Sequence, residues 1–110
     1  MASPALTEAV YFILLSLLEP MHGYGIMQLT EKFSGGRVHL AAGTLYGAIT
    51  TLLEKGWIRA IGEDKDSRKK EYVITPIGKE MLRREIARLT ELAELGKSYM
   101  EEIEHENDHS

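Results

Sequence analysis

Between Leu82 and Ile103 the chain places an apolar or small residue at alternating intervals of four and three: Leu82, Ile86, Leu89, Ala93, Gly96, Met100 and Ile103. An α-helix brings such positions to one side, and a stripe with this 3.5-residue period is the seam along which helices pair. Thr75-Pro76 supplies the start of that helix. Threonine caps a first turn, and proline fits the first helical position, where an N–H has no partner anyway. The spacing predicts a helix from Pro76 to about Glu104. A helix this long projecting from a small domain would leave its stripe wet, which favours pairing with a second copy of the chain over packing on its own first helix. Ala93 and Gly96 leave room in the seam, either for close helix approach or for a cavity lined by Leu89, Ala93 and Tyr99.

Three shorter helical patterns and a hairpin precede it. Leu6, Val10, Ile13, Leu14 and Leu17 recur at helical spacing and predict a helix from about Leu6 to Leu18, ended by Glu19-Pro20. A second helix is expected from Gly23 to Phe33, stopped by Ser34-Gly35-Gly36. Arg37 to Leu40 alternates and reads as a brief strand with Val38 and Leu40 inward. A third helix, Gly43 to Lys55, would bury Leu45, Ile49, Leu52 and Leu53 and turn Gly43, Tyr46, Gly47, Thr50 and Glu54 outward, with Gly56 as its stop. Trp57 to Glu63 and Lys69 to Thr75 read as strands joined by a charged loop. The expected fold is mainly α with a small β-hairpin wing. A winged helix-turn-helix would occupy residues 1–75, a C-terminal dimerisation helix 76–104, and a disordered acidic tail 105–110.

Composition narrows the functions open to such a chain. Its 110 residues suffice for one core. With no cysteine, disulfides and thiolate zinc sites are excluded, and a cytoplasmic setting is expected. The start of the chain lacks the basic region and cleavage site of a secretion signal. The apolar run Ala9 to Leu18 is shorter than the roughly 20 residues that span a bilayer, so no membrane association is expected. Gly23-Tyr24-Gly25 begins like a dinucleotide fingerprint, but Gln28 stands where the third glycine belongs. No nucleophile elbow and no His-Glu-x-x-His motif occurs. His105 and His109 have ligand-like spacing but lie in the acidic tail. No catalytic residue, metal or cofactor is expected, and the chain does not read as an enzyme.

A third helix with a polar outer face, followed at once by a basic-tipped hairpin, suits two-point contact with DNA. Thr44, Tyr46 and Thr50 carry hydroxyls for phosphates or base edges, and Gly43 and Gly47 would let the helix approach a groove closely. Arg68, Lys69 and Lys70, with Lys65 before them, would meet phosphates from the hairpin. Tyr24 and Tyr11 are further candidates for backbone contact, or else core aromatics with their hydroxyls at the surface. The net charge of −4 argues against tight non-specific binding, yet Glu101, Glu102, Glu104, Glu106 and Asp108 exceed that whole surplus and leave +1 for the rest of the chain. The competing reading is a winged-helix adaptor that binds protein rather than DNA.

Four blocks carry a family resemblance: His22-Gly23-Tyr24-Gly25-Ile26, Gly43-Thr44-Leu45-Tyr46-Gly47-Ala48, Leu52-Leu53-Glu54-Lys55-Gly56-Trp57-Ile58, and Lys70-Glu71-Tyr72-Val73-Ile74-Thr75-Pro76-Ile77-Gly78. Over about Leu6 to Gly96 the chain resembles the PadR family of transcriptional regulators, in its short subgroup with a single C-terminal helix. The resemblance implies a homodimeric repressor on a palindromic operator and, as in some relatives, release by a small aromatic effector. Where many relatives have Ser-Pro before the Gly-Thr-Leu-Tyr block, this chain has Ala41-Ala42. The lost capping oxygen costs the third helix roughly 1 kcal/mol. At the place of a ligand-stacking tryptophan on the last helix of some relatives stands Leu89.

Overall fold

Turn chemistry and apolar spacing together set seven elements: α1 (Glu8–Ser16), β1 (Met21–His22), α2 (Gly23–Phe33), α3 (Ala42–Glu54), β2 (Ile58–Ile61), β3 (Glu71–Ile74) and α4 (Pro76–Asp108). They are seen in a computed structural model that describes residues 5–62 and 70–108. The fold is mainly helical with a small hairpin, as the sequence implies. β2 and β3 pair antiparallel, with Ile58 opposite Ile74 and Ala60 opposite Tyr72. β1 joins the other edge of β3, so the sheet order is β1-β3-β2.

Each boundary has a local cause. The Thr7 hydroxyl accepts the Val10 N–H at 3.2 Å and starts α1. His22 starts α2 through Nδ1, which accepts the Gly25 N–H at 3.1 Å. Ala41 makes no side-chain cap, so α3 begins uncapped, as Ala41-Ala42 leads one to expect. Gly56, at φ 74°, ends α3 in the left-handed conformation that glycine adopts freely. Thr75 opens α4: its hydroxyl accepts the Gly78 N–H at 3.1 Å and donates to the Gly56 carbonyl at 2.6 Å.

The core lies where three helix faces meet the hairpin. Ile13, Leu14 and Leu17 of the α1 segment, Ile26 of α2, Leu45, Ile49 and Leu52 of α3, and Ile58, Tyr72 and Ile74 of the sheet are buried together. The Leu17 carbonyl accepts the Ile74 N–H at 2.8 Å and ties the end of α1 to β3. The opening turns of α4 complete this core through Gly78, Leu82 and Glu85.

Five details differ from the sequence reading. Arg37 to Leu40 is not a strand; Ser34 accepts the Val38 N–H at 2.9 Å and turns the chain, and Leu40 alone is buried. The strand that pairs with the hairpin is β1, ahead of α2. Leu53 is 36% exposed because Leu52 takes the inward position beside it. The heptad helix runs four residues past Glu104, over His105 to Asp108, where a disordered tail was expected; no glycine or proline interrupts it there. Leu82, the expected first residue of the dimer seam, is 4% exposed and belongs to the core of its own chain, so the first turns of α4 pack with the winged helix.

Candidate nucleic-acid interface

α3 buries Leu45, Ile49 and Leu52 and leaves its other side bare. Gly43, Thr44, Tyr46, Gly47 and Thr50 are all exposed. A β-carbon built on Gly43 or on Gly47 meets nothing within 4 Å. Neither glycine has a positive φ, so neither close packing nor backbone conformation explains the missing side chains. The Thr50 hydroxyl donates to the Tyr46 carbonyl at 2.9 Å and keeps its acceptor capacity on the exposed face. The result is a low strip along the helix, bounded by a phenol and two threonines.

Tyr46 joins this strip to α2. Its ring lies across Gly23, the first residue of α2: a β-carbon there would overlap the phenolic oxygen and stand 3.0 Å from Cζ. Tyr24, next in sequence, is 66% exposed. Tyr72 of β3 is buried, and its pKa is raised, first by that burial and then by the charge of the Tyr46 phenol. Sequence reasoning singled out Tyr46 and Tyr24 but missed Gly23, against which the Tyr46 ring lies. The Gly-Tyr-Gly block carried that signal, since a glycine at the first turn of a helix has no conformational need to be there.

The hairpin contributes less that can be described. Lys70 is exposed at the foot of β3. Arg68, Lys69 and Lys65 lie outside the described residues. Arg59, exposed on β2 opposite Val73, is a cation beside the wing that the sequence reading passed over. Tyr11 is half-buried against Phe12, with ring centroids 5.8 Å apart, and packs against the core.

On α4, Ile86, Leu89, Met100 and Ile103 are exposed apolar residues of the seam, and Ala93 and Gly96 are exposed between them. Leu92, Leu95 and Tyr99 add exposed apolar surface beside it. Of the expected ligand-lining residues, Leu89 borders a 260 Å³ cleft between α1 and α4 that also touches Tyr11, Phe12 and Arg88; Ala93 and Tyr99 lie beyond it on the bare part of the helix. At the base of that cleft Glu85 accepts the Leu6 N–H at 3.0 Å and both Nε and Nη2 of Arg88, at 2.6 and 2.9 Å. The Arg88 hydrogen bonds, aided by the Leu6 N–H, hold the Glu85 pKa below the ordinary carboxylate value against the opposing effect of burial. Among the described residues no cluster of three potential metal ligands occurs, and no helix is long and apolar enough to cross a membrane.

Comparison with known proteins places this face within a wider group. The profile of the transcriptional regulator PadR-like family matches residues 13–84, from α1 into the buried turns of α4. An uncharacterized 37.1 kDa protein in transposon TN4556 of Streptomyces fradiae is 36% identical over 87 residues. That match takes in 78% of this chain but 24% of the relative, so the chain spans about a quarter of that protein's length. Among solved structures, a PadR family transcriptional regulator from Eggerthella lenta is 25% identical with a TM-score of 0.67, over 84% of this chain and 80% of that one. BpsR of Bordetella bronchiseptica, whose DNA binding is regulated by 6-hydroxynicotinic acid, has the same fold at 18% identity and a TM-score of 0.66, over 84% of this chain and 67% of that one.

Proposed function

The chain belongs to the transcriptional regulator PadR-like family, and from that premise we propose that it is a homodimeric repressor which reads a palindromic operator with α3. The observation that carries this reading is the outer face of α3, left bare by the core and lowered by two glycines whose side chains would meet nothing among the described residues. A helix so shaped can enter a major groove, with Thr44, Tyr46 and Thr50 on base edges or phosphates and Tyr24 on the flanking backbone. Lys70, together with Arg68 and Lys69, would neutralise phosphates from the wing.

Two copies joined along α4 present two such helices to half-sites about one helical turn apart, roughly 34–36 Å. In this reading Ile86, Leu89, Ala93, Gly96, Met100 and Ile103 form the seam. A small aromatic effector held near Leu89, Ala93 and Tyr99 would release DNA by binding one arrangement of the pair better than the other. The control of BpsR by 6-hydroxynicotinic acid is a precedent in a similar fold. The protein works in the cytoplasm, where the operator is, and needs no cofactor.

The test is selection of duplexes from a random library with the purified chain, followed by fluorescence anisotropy on the recovered sequence and a scrambled control at two salt concentrations. A two-fold symmetric sequence, bound more tightly than its control and with a salt-dependent affinity, supports the reading. A selection that enriches no sequence refutes it.

A further inference from the structure

Gly23 is buried, helical and free of any left-handed backbone requirement. At the first residue of a helix most side chains are tolerated, so its glycine needs a steric cause. The three heavy atoms nearest to a β-carbon placed there all belong to Tyr46: the phenolic oxygen in overlap, Cζ at 3.0 Å and Cε1 at 3.4 Å. Yet Tyr46 is 44% exposed. A half-exposed ring can swing into solvent to make way for a methyl group, so folding by itself places little demand on a glycine at this position. The demand comes from keeping the ring where it is. A phenol already seated before binding loses less freedom when it meets its target.

We propose that Gly23 is a positioning residue for DNA binding: by offering no side chain it seats the Tyr46 ring against the start of α2 and fixes the direction in which α3 presents the phenol. This rests on the reading of α3 as the DNA-facing helix. The H-bonded first turn of α2, capped by His22, is then a support for α3 rather than a bystander. A substitution in the helix that precedes the recognition helix changes affinity through the orientation of one side chain.

The experiment is a double-mutant cycle on a duplex recovered by selection with the wild-type chain. Gly23→Ala pushes the ring off its seat and weakens binding about tenfold or more, the scale of one hydrogen bond to a charged phosphate. In a Tyr46→Ala background the same substitution changes affinity by less than about twofold, because no ring is left to displace. An equal loss in both backgrounds assigns the effect to α2 itself and overturns the proposal, as does undiminished binding by Gly23→Ala. Failure of the underlying reading looks different: the wild type recovers no duplex, or Tyr46→Ala binds as well as wild type, and the proposal falls with it. A second measurement needs neither DNA nor a folded variant at position 23. In the free wild-type protein the Tyr46 ring Hε protons give nuclear Overhauser contacts to the Gly23 Hα protons, as the 3.4 Å approach of Cε1 to the Gly23 β-position requires. Absence of that contact in the wild type overturns the seating whatever the duplex shows.

Discussion

Replacing Gly47 by alanine should raise the stability of the protein and lower its affinity for DNA. Gly47 lies mid-way along α3 on the exposed side, with a helical φ and open space where a β-carbon would stand. An exposed mid-helix alanine is favoured over glycine by about 1 kcal/mol, and nothing among the described residues opposes the added methyl. For a domain of about this size that gain raises Tm by roughly 4–8 °C. Melts must be compared at one protein concentration, since association makes Tm concentration-dependent. With α3 in a DNA groove, as proposed, the same methyl would intrude where the helix meets the duplex. Intrusion into a packed contact costs about 1–3 kcal/mol, so affinity falls by roughly 5- to 150-fold. Calorimetry of the free protein and anisotropy on the selected duplex read the two effects separately. A lower Tm would refute the claim that Gly47 has no intrachain duty. A higher Tm with unchanged affinity would refute the claim that DNA approaches this turn of α3.

Gly78→Ala acts in the opposite sense: its β-carbon would overlap the Trp57 carbonyl oxygen and stand 2.7 Å from Ile74 Cγ1, both fixed, so urea denaturation should show a loss of about 2–3 kcal/mol, and wild-type stability would mean that α4 shifts freely over the sheet. Thr30 is fully buried and its hydroxyl has no hydrogen-bond partner among the described residues; Thr30→Val keeps the shape and should gain about 1 kcal/mol, whereas a loss would reveal a partner for the hydroxyl. The folded pKa of Glu85 lies below its ordinary value of 4.5, so its contribution is full above that value and disappears as pH falls through the folded one. Glu85→Gln should therefore cost about 1 kcal/mol at neutral pH and flatten the acid limb of the stability profile; identical acid limbs would show that Arg88 does not hold the carboxylate. If two copies pair along α4 as proposed, Leu89→Glu should give monomers in sedimentation velocity and lower the total helical circular dichroism; a dimer that survives the substitution would place the subunit contact elsewhere.

Much of this fold was legible because its boundaries are local. Thr75-Pro76, Gly56 and the Ser34-Gly35-Gly36 stop act through one or two hydrogen bonds each, and those bonds form as the residue types dictate. The outer face of α3 followed from periodicity alone. What remained hidden depended on contacts between distant segments. β1 is a two-residue strand that exists only because β3 offers it an edge, so Met21-His22 carries almost no pattern of its own. Leu82 fits the heptad seam as well as Leu89 does, and only the closure of α4 onto α1 and β3 separates them. Glu85 reads as one more surface acid until Arg88 and the Leu6 N–H enclose it. The support that Gly23 gives to Tyr46 joins residues of two helices that no spacing rule connects.

The glycines divide along the same line, and the division argues for where the partners sit. Gly23, Gly25 and Gly78 each lack a side chain because a neighbour in the same chain occupies its place: the Tyr46 phenol, the Met21 sulfur, the Trp57 carbonyl. Gly43, Gly47 and Gly96 lie in helices, have helical φ, and meet nothing within 4 Å. In mid-helix a glycine costs roughly 1 kcal/mol against alanine. Gly47 and Gly96 incur that cost with no contact among the described residues to offset it, which points to partners outside the chain. Gly47 is on the bare face of α3. Gly96 is on the bare part of α4, flanked by exposed Leu92, Leu95, Tyr99 and Met100. A helix about 50 Å long with half its length uncovered is marginal by itself in water. The chain thus opens two close-approach surfaces, one polar with hydroxyls and one apolar with leucines. The first suits a DNA groove and the second suits a copy of the same helix. Because α4 runs unbroken from the core to Gly96, a change in how two such helices cross would turn the α3 faces with it.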